Sequence, residues 1–505
     1  MRPSNAATPA PDSSGSGRQI RALGRRLDRE NNPRADGAQY FSRPHAGPVL
    51  RDYQAALVDG VGAAYRDGAR SVLMVLPTGG GKTVIFSRVV RGAAAKSKRV
   101  LLLAHRVEIV EQIGAALDCE GVAHGLIAPD APETSHAVQV ASVATLARRI
   151  DGWAGAFDLI VIDEAHHAVA GSWGKILAAM PNAHILGVTA TPERLDGRGL
   201  GDVFETMIEG PSTGDLIAEG HLSRPTVFAP TSAPDLTGVR TRMGDYEIGD
   251  LRAAMGGVII ESATAEYGRI CPGTPAVTFC VDIAHSEAVA ARFRSHGYRA
   301  AHVDGEMPAR ERRRLIAQLG TGELNVLTNC GLISEGVDVP AIGAAILLRP
   351  TQSLALYLQQ VGRSLRPAPG KDRALILDFA RNSLRHGLPD DSRTWSLASK
   401  PRRERPTSSA SVRRCNECGA VNPANARECL ECGASLMTPL ERMEVAMKLR
   451  SEETARLGEQ LRSMTYAQRI AWAGANEVRL RAVASACQYK KGWIFRRLQE
   501  MRGAA

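Results

Sequence analysis

At 505 residues the chain is too long for a single hydrophobic core and is expected to divide into roughly two to four domains. Its composition, 44% apolar and 23% charged, holds no uninterrupted apolar run near the roughly 18 residues of a membrane helix, which excludes a membrane-spanning protein built on helices. A net charge of +10 and a pI near 9.3 favour a polyanionic partner.

The first thirty residues lack the apolar stretch of a secretory signal, and nine cysteines are an odd number for a secreted disulfide framework, so the expected location is the cytosol. Residues 1–44, rich in Pro, Ser, Gly, Asn and Arg without periodicity, read as a disordered basic tail. At Leu50 a helical pattern begins, with Leu50, Tyr53, Leu57, Val61 and Ala64 on one apolar face and Gln54 off that stripe. An amide at Gln54, just before the next strand, can pair with the donor and acceptor of an adenine edge.

That strand, SVLMVL, runs into Pro77, Thr78, Gly79, Gly80, Gly81, Lys82 and Thr83. Three glycines let backbone N–H groups curl around phosphate oxygens, Lys82 adds a point charge, and Thr83 offers a hydroxyl to Mg²⁺. The strict phosphate-loop pattern has a further glycine where this chain has Leu76, so the match is to a variant. After a helix from Lys82 to about Ala95, RVLLLAH (99–105) is a second strand, ending in His105 and Arg106, which serve either ligand binding or helix capping. A third, AVQVAS (137–142), runs into Ser142.

FDLIVIDEAHH (157–167) supplies the fourth strand and two carboxylates at its end. Asp163 is placed to hold Mg²⁺ and Glu164 to deprotonate water, and burying both is costly unless a cation is present. A fifth strand, HILGVTATP (184–192), ends in Thr189, Ala190 and Thr191. Apolar strands alternating with helices describe a parallel, doubly wound sheet. Residues from about Pro211 to Pro275 read as a connector.

A second α/β unit follows, with strands at PAVTFCV, YRAAHVDG, LNVLTNC, AAILLRP and ALILDF. The segment SLALYLQQVGRSLR reads as a helix carrying Gln359, Gly362, Arg363 and Arg366. Two guanidiniums one helical turn apart are either solvated or, since the upstream site has no arginine of its own, complete it across a cleft. Beyond a linker at 391–412, Cys415, Cys418, Cys429 and Cys432 have C-x2-C-x10-C-x2-C spacing, which suits four thiolates on Zn²⁺, with redox dithiols as the alternative. The helical tail ends in Tyr489, Lys490, Lys491, Trp493, Phe495, Arg496 and Arg497, either a stacking surface for nucleobases or an apolar helix face beneath a basic one.

With Gln54, GGGKT, DEAH, TAT, TNCGLISEGVDVP and QQVGRSLR in this order between Leu50 and Phe379, the sequence resembles the superfamily 2 DEAD/DEAH-type helicases, and within them the RadD-like helicases of bacteria and prophages. The resemblance implies two tandem RecA-like α/β lobes (45–212 and 213–390) with ATP in the cleft, then a zinc ribbon (413–437) and a helical accessory region (438–505). It implies that Gln54 reads adenine with Arg51 also lining the nucleotide site, that Pro77 to Thr83 hold phosphates and metal, and that Asp163 binds Mg²⁺ with Glu164 as base. His166, Thr189 and Thr191 would relay the nucleotide state, Gly336 and Asp338 touch the ribose, Gln359 line the nucleotide site, and Arg363 and Arg366 act as fingers. His105, Arg106, Ser142, Phe279 and Thr328 match positions that line the nucleic-acid strand. An RNA-type DEAD box ends in Asp where this chain has His166, and its last motif opens with His where this chain has Gln359. Both departures lean towards DNA. The implied activity is nucleic-acid-stimulated ATP hydrolysis driving translocation or unwinding in a bacterial cytosol or nucleoid, with no membrane partner and with protein partners possible through the ribbon or tail. An RNA helicase and the motor of a restriction or defence system are the alternatives.

Overall fold

The computed structural model describes residues 47–129, 131–168, 171–194, 197–231, 234–242, 244–333, 339–399, 412–474, 476–490 and 492–503. The basic tail expected at 1–44, most of the linker expected at 391–412, and Gly336 and Asp338 lie outside them. The chain divides into two compact units: one runs up to Val75 and then covers Gly81–Thr189 and Asp202–Gly210, while the other holds Leu76–Gly80, Ala190–Gly201 and everything from Pro211 on.

The first unit is built on a seven-stranded sheet of β1 (Ser71–Val75), β2 (Val100–Ala104), β3 (His124–Ile127), β4 (Val138–Ser142), β5 (Leu159–Asp163), β6 (His184–Thr189) and β7 (Thr206–Glu209). Their order is β3-β4-β2-β5-β6-β1-β7, every pairing parallel. β1, β2 and β4 are buried at every residue, as strands covered by helices on both faces must be. Two of these strands, β3 and β7, are additional to the five expected. Both are four-residue edge strands of mixed polarity, without the apolar run that marks the others.

The second unit carries a six-stranded parallel sheet of β8 (Arg224–Phe228) with β11 (Ala276–Phe279), β12 (Ala300–Val303), β13 (Val326–Asn329), β14 (Ala344–Leu347) and β15 (Arg373–Asp378); β9 (Thr241–Arg242) and β10 (Asp245–Tyr246) form a separate short hairpin. The order is β12-β13-β11-β14-β15-β8. The region expected to be a connector thus contributes an edge strand, paired with β15 from Arg373↔Arg224 to Leu377↔Phe228, and a packed helix, Gly257–Ile270. Its Tyr267 is fully buried and donates to the Thr274 carbonyl at 2.8 Å.

Beyond the sheet, β16 (Val412–Arg414) and β17 (Val421–Pro423) pair antiparallel within the four-cysteine module. This module is no free-standing domain: Phe228 bridges Ala420, the Ala229 N–H donates to the Gly419 carbonyl at 2.9 Å, and Phe228 packs with Cys415, Ala420 and Cys429. Arg373 reaches both Glu431 oxygens at 2.8 Å. The module therefore covers the carboxyl end of the β8 edge, where backbone groups would otherwise be open for pairing. Part of the expected linker is also fixed, with the Gly201 N–H on the Leu397 carbonyl and the Gly199 N–H on Ser399 Oγ, both at 3.0 Å.

The tail forms a small helical assembly with its own core of Leu461, Ala473, Leu480 and Val483. Trp493 packs partly buried against Tyr489, ring centres 4.6 Å apart, whereas Phe495 is 66% exposed. Of the pair expected beneath a basic face, only the tryptophan serves the core. No described helix is long and apolar enough to cross a membrane.

Candidate nucleotide site and four-cysteine centre

The helix Asp52–Arg66 buries Gln54, Leu57 and Val61. Gln54 therefore lies on the buried stripe, a correction to its expected place off it: an amide tolerates burial where its hydrogen bonds are met, and its Oε1 accepts from the Arg51 N–H at 3.0 Å. Arg51 itself is exposed at the start of the helix, its guanidinium 3.1 Å from Tyr53 OH. The Gln54 amide lies against Gly81, where an added Cβ would come within 2.5 Å of Nε2.

Pro77–Gly80 make a tight turn, with the Gly80 N–H on the Pro77 carbonyl at 3.0 Å, and Gly79 and Gly81 take left-handed φ of 89° and 86°. That conformation turns successive N–H groups to one side, the requirement for holding phosphate oxygens, and L side chains resist it. Lys82 and Thr83 open the helix Lys82–Ala94.

Two strands away, β5 ends at Asp163. Burial first, then the Glu164 carboxylate, push the Asp163 carboxyl well above the usual range, while Lys82, the Glu164 N–H and His105 pull it down. Glu164 has left-handed backbone (φ 50°, ψ 56°) and is 8% exposed. His166 joins this strand end to its neighbour: Nδ1 lies 3.4 Å from Glu164 Oε2 and 3.2 Å from Thr189 Oγ1, the last residue of β6. His167, outside the expected site although the doubled histidine of DEAHH marks it, stands between the His166 ring at 4.1 Å and the His105 ring at 5.4 Å. The first unit so gathers Gln54, Gly81, Lys82, His105, Asp163, Glu164, His166 and Thr189 at the carboxyl ends of its strands, where open parallel sheets bind ligands. Two carboxylates, Glu164 buried and Asp163 partly so, beside one lysine leave a deficit of positive charge, which fits a divalent cation held by Asp163 and Thr83.

Thr191 is fully buried beyond the end of β6. In the second unit, the helix Leu354–Gly362 starts on Ser353, whose Oγ accepts the Leu356 N–H at 3.1 Å, and buries Gln359. Arg363 is its C-cap, 5% exposed, and Arg366 lies outside the helix. The expectation of both guanidiniums on one helix fails because the last turn tightens and stops: the Ser364 N–H bonds three residues back, to Val361, at 3.0 Å.

Two residues expected to line the nucleic-acid strand have buried side chains. Phe279 is 1% exposed inside the core of the second sheet, and Thr328 is fully buried, its hydroxyl donating to the Ser286 carbonyl at 2.8 Å. Neither presents a surface to nucleic acid. Ser142 is buried at the start of the helix Val143–Arg149, whereas His105 and Arg106 are partly exposed and bonded to each other at 3.1 Å.

The four-cysteine centre is a doubled turn, CNECGA and CLECGA. In each copy the first Cys N–H bonds the Ala carbonyl at 2.8 Å, the Gly N–H bonds the first Cys carbonyl (3.1 and 2.9 Å), and Gly419 and Gly433 have φ of 82° and 73°. The turns bring Cys415 Sγ to 3.7 Å from Cys432 Sγ and Cys418 Sγ to 3.6 Å from Cys429 Sγ, with all four within 4.8 Å. Disulfide sulfurs lie about 2.05 Å apart, whereas four thiolates about 2.3 Å from a tetrahedral zinc would be about 3.8 Å apart. The donor set fits zinc.

Residues 48–194 match the family of the type III restriction enzyme res subunit, and residues 264–368 match the helicase conserved C-terminal domain. Over 349 residues the chain is 33% identical to a 51.5 kDa protein of a Lactococcus phage (isolate 7-9), covering 69% of this chain and 74% of that protein. Over 370 residues it is 32% identical to a Saccharomyces cerevisiae protein named as a candidate ATP-dependent helicase, IRC3, covering 67% of this chain and 52% of that one. The chain thus spans about half the length of the yeast relative. Among solved structures, a fragment of a candidate HsdR subunit of a type I restriction enzyme from Vibrio vulnificus YJ016 shares the fold, with TM-score 0.53 and 21% identity over 69% of this chain and 68% of that one.

Proposed function

The chain belongs to the superfamily 2 helicases of the DEAD/DEAH type, and on that premise we propose that it hydrolyses Mg-ATP to translocate along, or unwind, DNA. The observation that carries this reading is His166, whose one nitrogen lies within reach of both the Glu164 carboxylate and the Thr189 hydroxyl. A change at the base is thereby felt at the end of the adjacent strand, which is what coupling hydrolysis to movement requires.

Glu164 takes the proton of the attacking water, Lys82 and the 79–83 backbone hold phosphate oxygens, and Gln54 selects adenine. Asp163 and Thr83 would hold Mg²⁺, which when bound neutralises phosphate charge. Arg363 and Arg366 are the candidates for the arginine fingers that a phosphoryl transfer calls for. Contacts to the phosphate backbone give little sequence preference, and His105 and Arg106 are the candidates for them. DNA is favoured over RNA by His166 and Gln359. The match of 48–194 to a restriction-enzyme subunit supports a second reading, as the motor of a restriction system. The four cysteines bind Zn²⁺.

The test is ATPase rate with single-stranded, duplex and forked DNA and the matching RNAs, for the wild type and Lys82→Ala. Stimulation by DNA that vanishes in Lys82→Ala is expected. Equal stimulation by RNA would overturn the DNA assignment, and hydrolysis by Lys82→Ala would overturn the site.

A further inference from the structure

Where the helix Leu354–Gly362 ends, three consecutive carbonyls are held by groups from elsewhere in the chain. Lys371 Nζ donates to the carbonyls of Ser364 at 2.5 Å and Arg366 at 2.6 Å, and the Ser223 N–H takes the carbonyl of Leu365 between them at 2.7 Å. The third lysine donor goes to the Ile342 carbonyl at 2.7 Å, just before β14. An ammonium has three donors and no acceptor, so the group is fully used on main-chain oxygens. Lys371 reaches back because its own segment turns: its N–H bonds the Ala368 carbonyl at 3.1 Å, and Gly370 has φ 75°. A cation is also the right group at the carbonyl end of a helix, where the dipole is negative.

We propose that Lys371 is a positioning residue for Arg363 and Arg366: it ties the backbone that carries both guanidiniums to the β14 side of the second sheet, and so sets where they are presented. The role rests on the reading that these arginines serve the nucleotide. Lys371 acts only through them. A methionine fills the same volume without a donor, and an arginine cannot converge a planar fork on three oxygens around one point.

The experiment compares full-length Lys371→Met, Arg363→Ala, Arg366→Ala and the double variant Lys371→Met/Arg366→Ala. It measures kcat, ATP affinity, thermal stability, and amide hydrogen exchange across residues 360–368. Lys371→Met is expected to keep ATP affinity within about twofold and to lose on the order of tenfold to a hundredfold in kcat, as a displaced catalytic group does. Exchange should rise in that segment, and the loss in the double variant should exceed that of Arg366→Ala but fall short of the product of the two single losses, since one of the two groups that Lys371 positions is already gone. Losses that multiply in the double variant, or a wild-type kcat in Lys371→Met, would overturn the role. If Lys371→Met does not fold, Lys371→Gln, which keeps a polar head with two donors, carries the same comparison. Wild-type kcat in Arg363→Ala and Arg366→Ala would overturn the arginine reading together with the proposal; a loss there beside an unaffected Lys371→Met would overturn the positioning role alone.

Discussion

Replacing Phe228 by alanine separates two things that the four-cysteine module does: binding metal and covering a strand. Phe228 ends β8, is 5% exposed, and packs on Cys415, Ala420 and Cys429. Truncating a buried Phe costs about 3–5 kcal/mol where the surroundings cannot collapse. The polar ties are individually weaker: the Ala229–Gly419 bond is worth about 1 kcal/mol, the bond from Arg414 Nε to the Ala229 carbonyl about 1.5–3 kcal/mol, and the half-exposed Arg373–Glu431 pair at most about 1 kcal/mol after screening, while Val421 stays packed in the core of the second sheet. Structural zinc in small modules contributes about 10–16 kcal/mol, far above any of these figures. The module should therefore keep its metal and its internal turns while its docking on the sheet loosens. Hydrogen exchange of the full-length protein should rise at 224–229 and along the facing stretch 419–421, with zinc content by atomic absorption unchanged. Unchanged protection at β8, or zinc lost together with docking, would refute the reasoning.

Glu164→Gln should lower kcat by about 10²–10⁴-fold, the usual contribution of a general base, while ATP still binds by fluorescence titration; near-normal turnover would remove Glu164 from that role. Gly81→Ala forces a methyl into left-handed backbone, at about 1–2 kcal/mol, and against Gln54 Nε2 at 2.5 Å. Denaturant unfolding should register the cost and the preference for ATP over GTP should fall; an unchanged preference would mean that Gln54 does not read the base. Cys415→Ser removes one of four ligands and should cost most of the bound zinc, which atomic absorption measures. A fully loaded variant would exclude the four-thiolate site.

What the sequence made legible follows from burial. β1, β2, β4, β5 and β6 are short apolar runs because both faces of a central parallel strand are covered, and the ligand residues sit at their ends for the same reason. Edge strands have no such pattern. HGLI and TMIE alternate or mix polarity, and RPTVF contains Pro225, which argues against a central strand and is tolerated at an edge. Gln54 reads as lying off the stripe because an amide does not look like core. Phe279 and Thr328 show the converse: their places in the chain suit a strand end, yet Phe279, the last residue of β11, and Thr328, one before the end of β13, are still inside the sheet. The run from Ser353 to Arg366 reads as one helix, and only the backbone reveals that Arg366 has left it.

The position of β8 has a bearing on synthesis. It is the first strand of the second sheet to leave the ribosome, but its sheet partner is β15, the last. At roughly 5–20 residues per second, the 224–228 segment waits on the order of ten seconds for 373–378, and longer for the cysteine turns that cover it. The first unit has all seven of its strands by Glu209 and can close well before. Nascent chains stalled before residue 373 should therefore carry a finished amino-terminal half and an unpaired strand, the form most in need of a chaperone.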